Sequence, residues 1–112
     1  KTSVAELYQG EIKEYVVSPE DFGIASKSLI GLSVTSAEES LQLIKMALGK
    51  DKSDIAIKAR DIITLNAGAA IYAADLASNL QAGVEMAADA IGSGLALAKM
   101  NELASFTACL VD

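Results

Sequence analysis

The chain of 112 residues has no histidine and no tryptophan, and only one cysteine and one proline. Histidine is the usual general base and the usual partner of a nucleophilic serine or cysteine, so its absence argues against that chemistry. A single cysteine excludes an internal disulfide and fits a reducing cytosol. We therefore interpret Cys109 as a small apolar residue and expect a cytoplasmic protein.

Basic residues are also few, since nine Lys and Arg against fifteen Asp and Glu give a net charge of −6. Nucleic-acid binding depends on clustered Lys and Arg, and these are scattered, so we predict no nucleic-acid partner. No apolar run reaches the roughly 18 residues of a membrane span, and Lys1–Glu14 is too charged for a signal peptide. Because the sequence does not begin with methionine, we expect the native start upstream of Lys1.

A long helix-forming run without charge is the main feature that the sequence does contain. No residue between Asp61 and Asp75 is charged. A surface helix keeps a polar face, so we expect protein to cover Arg60–Ala74 on both sides, which a chain this short supplies poorly. Gly68 costs about 1 kcal/mol relative to Ala inside a helix, and therefore predicts a close backbone contact. Asn66 is expected to bond a loop carbonyl or, as the minor alternative, a ligand.

Two short strands, Ser3–Leu7 and Glu11–Val17, are predicted at the amino end. They are joined by a tight turn at Gln9-Gly10, where glycine permits a positive φ. Their imperfect alternation indicates that both faces of the hairpin are partly buried. A two-stranded hairpin is marginal alone, so this pattern also indicates a missing sheet.

The stretch Ser18–Gly23 has the composition of a helix start. Serine is a good cap, proline suits the first helical position, and acidic residues favour the positive end of the helix dipole. Glycine is expected to stop this helix after one turn. We interpret Glu20 and Asp21 as capping groups rather than as metal ligands, and residues Ile24–Val34 as a loop.

Helices are predicted over most of the remaining chain from their caps and glycine stops. The first helix is predicted from a capping box at Ser36 to about Leu48, with an end at Gly49. The second is predicted to start near Ile55–Ala59 and to end about Ala77. The third is capped by Asn79, and its apolar stripe comprises Val84, Ala87, Ala88, Ile91 and Leu95. Gly92 is expected to adopt the left-handed conformation that stops the third helix, and Ser93 to cap a last helix that runs to about Phe106. The predicted inner face of that helix comprises Leu95, Leu103 and Phe106.

No constellation with catalytic chemistry is found. Gly92-Ser93-Gly94 lies between two predicted helices, whereas a phosphate-binding loop lies between a strand and a helix. Carboxylates on helix faces have no histidine or apolar pocket that would suit them to acid–base work; they are Glu38, Glu39, Glu85 and Asp89. We predict no catalytic, substrate-binding or metal-ligating residue in this chain.

Four segments carry recognisable patterns in a fixed order. They are VAELYQGEIKEYVV at Val4–Val17, SPEDFG at Ser18–Gly23, RDIITLNAGAAIYAADL from Arg60, and AADAIGSGLALAKMNELASF at Ala87–Phe106. Together they resemble the hairpin VAEL-x-x-GEI-x-EY, the turn (S/T)PEDFG, the helix RDI-x-x-LNAGAALY and the terminal helices of the anthranilate phosphoribosyltransferase family. The resemblance covers nearly the whole chain.

The resemblance implies an enzyme that joins the amine of anthranilate to the ribose carbon of phosphoribosyl pyrophosphate, with Mg²⁺ bound, in tryptophan biosynthesis. The family's GTGGD, Asn-x-x-(Ser/Thr), Lys-His-Gly-Asn and metal-binding Asp-Glu motifs precede the hairpin in family order and do not occur here. By resemblance, the framework behind the active site includes Phe22, Arg60, Asp61, Asn66 and Gly68.

We therefore predict an α/β fold for residues 1–112, the carboxyl-terminal part of a phosphoribosyltransferase domain. An edge β-hairpin followed by three to four α-helices would cover a larger, mostly missing sheet. We expect the fragment to be inactive alone, to belong with the missing amino-terminal part of a homodimeric enzyme, and to self-associate in isolation. The alternatives are a stand-alone helical interaction module and a paralogue that lacks the anthranilate reaction. A GTGGD stretch and an Asp-Glu pair upstream of Lys1 would favour the enzyme.

Overall fold

The computed structural model describes residues 1–110. Within them, a β-hairpin and a single 3-10 turn precede four α-helices, as expected for the α/β fragment. The elements are β1 (Thr2–Tyr8), β2 (Glu11–Val17), the 3-10 turn (Pro19–Phe22), α1 (Ala37–Leu48), α2 (Asp54–Ala73), α3 (Leu80–Gly92) and α4 (Leu95–Ala108). The last two residues of the predicted range 1–112 lie outside the described part. No helix between residues 1 and 110 is both long and apolar enough to cross a membrane.

The hairpin has the predicted turn. Gln9 and Gly10 have φ values of 50° and 80°, the positive pair that a two-residue hairpin turn requires. The antiparallel register sets Leu7 opposite Ile12 and Val4 opposite Tyr15. Both strands agree with the predicted ranges to within one residue at each end.

The two faces of the hairpin differ in environment. The inner hairpin face, turned towards α2, includes the half-buried residues Val4, Glu6, Tyr15 and Val17. The outer hairpin face consists of Ser3, Ala5, Leu7, Ile12, Glu14 and Val16, all exposed. The prediction that both faces are partly buried is therefore wrong for the described chain, because the helices cover one face only.

The predicted capped turn after the hairpin is confirmed. The backbone N–H of Ser18 donates to the Asp21 carboxylate at 2.8 Å, and that of Ser26 donates to the Glu20 carboxylate at 2.8 Å. Hydrogen bonds from Ser26, first from its side chain and then from its backbone, lower the pKa of Glu20. Gly23 ends the turn in the left-handed region with φ 75°. Asp21 thus caps the start of the turn as predicted, whereas Glu20 binds the loop that follows the turn rather than its start.

Helix α1 begins as predicted, with one difference in its cap. The Ser36 hydroxyl accepts the backbone N–H of Glu39 at 3.1 Å. The Glu39 carboxylate reaches back to the N–H of Thr35 at 2.9 Å, one residue before the position of a standard capping box. The helix ends at Leu48, and the N–H of Gly49 bonds the Lys45 carbonyl.

Helix α2 ends at Ala73, earlier than the predicted Ala77. Asp75 adopts a left-handed φ of 66°. The N–H of Leu76 bonds the Ile71 carbonyl at 3.1 Å, and that of Asp75 bonds Tyr72 at 3.0 Å. This pair of bonds is a Schellman stop. Sequence reasoning missed it because aspartate stands where glycine is usual.

The junction between α3 and α4 corrects a second boundary. The cap at Asn79 is confirmed, since its side chain accepts the Ala82 N–H at 2.8 Å. Gly92, however, is the last helical residue of α3, and Gly94 takes the left-handed conformation with φ 84°. Ser93 ends α3 rather than capping α4, and its hydroxyl donates to the Ala90 carbonyl at 3.2 Å.

The core lies where α1 and α3 pack against α2, and it is built from small side chains. The buried residues are Ala47, Ala56, Ala59, Thr64, Val84, Ala87 and Ile91. Gly68 and Gly83 mark the crossing of α2 and α3. A Cβ on Gly68 would lie 2.6 Å from the Val84 Cα, and one on Gly83 would meet the Gly68 carbonyl oxygen. The close backbone contact predicted for Gly68 is confirmed.

This crossing predicts opposite effects of two alanine substitutions in the full-length parent protein. Gly68→Ala should destabilise it by about 1–3 kcal/mol, because backbone must move to admit the methyl group. Gly92→Ala, a control at a helical glycine with open space around it, should stabilise by about 0.5–1 kcal/mol. Denaturant unfolding measures both. Equal effects of the two substitutions would contradict the close-contact account.

Candidate functional site

Arg60 lies on α2, and its side chain reaches the end of α1 and the loop that joins the two helices. Its Nε donates to the Ala47 carbonyl at 2.7 Å, and its Nη2 donates to the Asp51 carbonyl at 2.7 Å. The same nitrogen lies 3.3 Å from the Met46 carbonyl and 3.2 Å from that of Gly49. A guanidinium there satisfies carbonyls left free at the end of α1 and opposes the negative end of its dipole. The Arg60 side chain therefore stabilises the backbone at the end of α1 and in the loop after it.

Asn66, Asp61 and Phe22 are further residues of the predicted framework. The Asn66 amide donates to the Ile62 carbonyl at 2.9 Å, one turn back in its own helix. The predicted bond to a loop carbonyl is thus wrong, because the helix supplies an acceptor within reach of an exposed side chain. Asp61 and Phe22 are half-buried. Both line the same cleft.

That cleft has a volume of about 630 Å³. Its lining is mainly apolar, and its charged side chains come from α2, α3 and the loop before α2. The lining includes Phe22, Ile24, Leu48, Val84, Ala88, Ile91 and Leu97, with Lys50, Lys52, Arg60, Asp61, Gln81 and Glu85. Apolar walls of this kind suit packing by another protein segment better than a phosphate group.

A polar cluster joins the hairpin to the helices. The Tyr72 hydroxyl donates to the Glu6 carboxylate at 2.6 Å, and the Tyr15 hydroxyl donates to the same carboxylate at 2.8 Å. Sequence reasoning missed this cluster. The strand register brings Glu6 and Tyr15 diagonally together, but Tyr72 arrives only through the tertiary fold.

The hydrogen bonds of this cluster shift the pKa values of three side chains. The hydroxyls of Tyr72 and Tyr15 stabilise the ionised carboxylate and lower the pKa of Glu6. The hydrogen bond to that carboxylate raises the pKa of Tyr72 to about 12, and it raises the pKa of Tyr15 as well. The cluster is therefore intact when Glu6 is ionised and the tyrosines are protonated.

Large apolar side chains stay exposed on several elements of the described chain. On α4, Leu95, Leu103 and Phe106 are 67%, 59% and 64% exposed. Their prediction as an inner face is wrong for this chain, because α4 has few neighbours in it. The long apolar helix is likewise covered on one side only: Ile62, Ala69, Ala70 and Ala73 are exposed on the other.

Comparison with known proteins identifies relatives of this chain. Residues 1–97 match the family described as "Glycosyl transferase family, a/b domain". The whole chain is 65% identical to an anthranilate phosphoribosyltransferase of Hahella chejuensis, of which it covers 32%. Relatives of the same name from Cellvibrio japonicus and Marinobacter nauticus are 63% and 60% identical over 96% of the chain, which covers 31% and 32% of them. The chain thus spans about a third of the length of these relatives.

The Glu6 cluster predicts a pH-dependent contribution to stability. The pKa of Glu6 is lowered from 4.5, so its contribution is present above that pH and is lost as pH falls through the lowered folded value. The pKa of Tyr72 is raised from 10.0 to about 12, so its contribution is present below pH 10 and is lost as pH rises towards 12. Unfolding measured against pH in the parent protein should show both losses.

Tyr72→Phe should flatten these two dependences, because it removes the shared hydrogen bond. Tyr8→Phe is the control, since the Tyr8 hydroxyl only accepts from Gln9. The destabilisation by Tyr72→Phe should be greatest between the two titrations and shrink outside them. A destabilisation that stays the same at every pH would show that the cluster has no such role.

The exposed apolar surfaces predict that the isolated chain self-associates. Light scattering should give a mass above that of one chain, and a dye specific for apolar surface should bind. Phe106→Lys should weaken the association, because it charges the exposed face of α4, whereas Gln42→Lys on the polar side of α1 should not. A compact, dye-silent monomer would contradict this prediction.

Proposed function

The chain belongs to the glycosyl transferase family through its a/b domain, and from that membership we propose that it is the carboxyl-terminal part of an anthranilate phosphoribosyltransferase. The observation that carries the proposal is the 65% identity to one such enzyme over the full chain. The whole enzyme would transfer the phosphoribosyl group of phosphoribosyl pyrophosphate to anthranilate in tryptophan biosynthesis.

Within that enzyme the chain would serve as structural framework. Its most highly organised polar groups already bind other parts of the chain: Arg60 holds the end of α1, and Glu6 holds Tyr15 and Tyr72. What it offers outward is apolar surface on the hairpin, α2 and α4. We propose that the remaining two thirds of the enzyme bind both substrates and cover this surface.

Magnesium binding is assigned to the remaining part of the enzyme as well. Among residues 1–110 no group of three or more acidic, histidine or cysteine side chains has the arrangement of a metal site. The adjacent carboxylates Glu20 and Asp21 accept backbone N–H groups of Ser26 and Ser18. Because both carboxylates are already engaged with backbone N–H groups, we propose that the carboxylates that bind Mg²⁺ lie in the remaining part of the enzyme. We also propose that the full enzyme is a cytoplasmic homodimer.

A stand-alone interaction module is less well supported. It accounts for the exposed apolar residues, but not for a family match that extends from the hairpin to the start of α4. A paralogue of the same fold with another acceptor is also compatible with the family match. The two enzymes differ in the part that binds the acceptor, which we assign to the other two thirds.

The proposal predicts that activity needs both parts. The isolated chain should form no phosphoribosyl anthranilate from anthranilate, phosphoribosyl pyrophosphate and Mg²⁺, whereas the full-length protein should, and chelation of Mg²⁺ should abolish its activity. Loss of anthranilate fluorescence measures turnover. Turnover by the isolated chain would overturn the framework role, and an inactive but folded full-length protein would favour the paralogue.

A further inference from the structure

The outer hairpin face is more apolar than the inner one. The inner hairpin face carries several polar or charged residues: Thr2, Glu6, Glu11 and Lys13. The outer hairpin face is formed mainly by Ala5, Leu7, Ile12 and Val16, with Ser3 and Glu14. In a sheet with one face in water, the apolar face is the one that packs on the core. On the inner face only Val4, Glu6, Tyr15 and Val17 are half-buried, whereas Thr2, Glu11 and Lys13 are exposed. The apolar residues of the outer face have no such cover.

The outer face is also open to solvent in the described chain. Leu7 and Ile12, which lie directly opposite each other, are each 71% exposed, and Val16 is 59% exposed. Four helices follow the hairpin, and its link to them, the Glu6–Tyr72 hydrogen bond, lies on the inner side. The helices of this chain therefore do not supply the cover that the outer face needs.

We propose that the outer hairpin face is a docking surface for a helix from the other two thirds of the enzyme. The hairpin then forms the middle layer between that helix and the helices of this chain. This inference rests on the proposed function, because that function supplies the missing chain. The occupant is a helix because in α/β domains helices cover both faces of the sheet.

The dimensions and charge of the face describe the helix that fits it. Ile12 and Val16 are four residues apart along β2, a span of about 13 Å, which is the length of two to three helical turns. Leu7 widens the apolar area beside Ile12. Glu14 is the one charged residue on this face, so the covering helix should be apolar with a Lys or Arg opposite Glu14.

A second copy of the chain fits this face less well. A standard protein interface buries about 800 Å² on each partner and involves about 20 residues a side. The outer hairpin face offers four apolar side chains. Relatives three times as long as this chain carry, by contrast, enough sequence to cover it within one molecule.

Thiol labelling of the full-length protein tests the proposal. In a background with native cysteines replaced, including Cys109→Ser, a cysteine is placed on the outer face by Val16→Cys, which is nearly isosteric, or by Ile12→Cys. Gln42→Cys, at an exposed position of α1, is the control. Labelling at position 16 should be about 100-fold slower than at position 42 in the native protein, because it requires local opening. The two rates should become equal in denaturant.

Each result has a defined meaning. Labelling of Val16→Cys or Ile12→Cys within a few-fold of the control in the folded protein overturns the proposal. Protection that disappears when an oligomer dissociates on dilution also overturns it, in favour of a second copy. Turnover of the same protein is measured separately. An active enzyme whose outer hairpin face is freely labelled refutes the docking helix alone. A protected outer face in a protein that does not turn over anthranilate refutes the proposed reaction alone.

Discussion

The crossing of α2 and α3 at Gly68 and Gly83 is the constraint on which the rest of the helical layer depends. A Cβ at Gly68 would lie 2.6 Å from the Val84 backbone, a separation that close-packed interiors do not tolerate. Two glycines let the helix axes approach, and this approach buries Val84, Ala87 and the neighbouring part of α2. The crossing explains a glycine that lowers helix propensity in the middle of α2.

The small side chains of this core also limit the stability of the helical layer on its own. A core of alanine, with few larger residues, buries little area at each contact. The hairpin is joined to it through Glu6 and Tyr72, a polar contact that depends on ionisation, rather than through a broad apolar one. Large apolar side chains remain exposed on α4 and on the outer hairpin face. A segment organised in this way is stable chiefly as part of a larger domain.

Local signals in the sequence were sufficient to predict most elements. The hairpin turn, the capped turn at Ser18 and the cap at Asn79 each depend on the chemistry of a few adjacent residues. The predicted helix boundaries were wrong where the chain does not end a helix with glycine in the usual way. Asp75 takes the left-handed position after α2, and Gly92 continues α3. The predicted burial of Leu103 and Phe106 was wrong, because a helical pattern shows which face is apolar but not whether a neighbouring element covers it. The Glu6–Tyr72 bond depends on the tertiary fold and had no local signal.

The central claim, that this segment is framework completed by the rest of an enzyme, is tested most directly by hydrogen exchange in the isolated chain and in the full-length protein. In the isolated chain, amides at the α2–α3 crossing should be the best protected, while those of β1 and β2 exchange much faster. In the full-length protein the hairpin amides should become protected to a similar degree. Equal protection of the hairpin in a monomeric isolated chain would contradict the account.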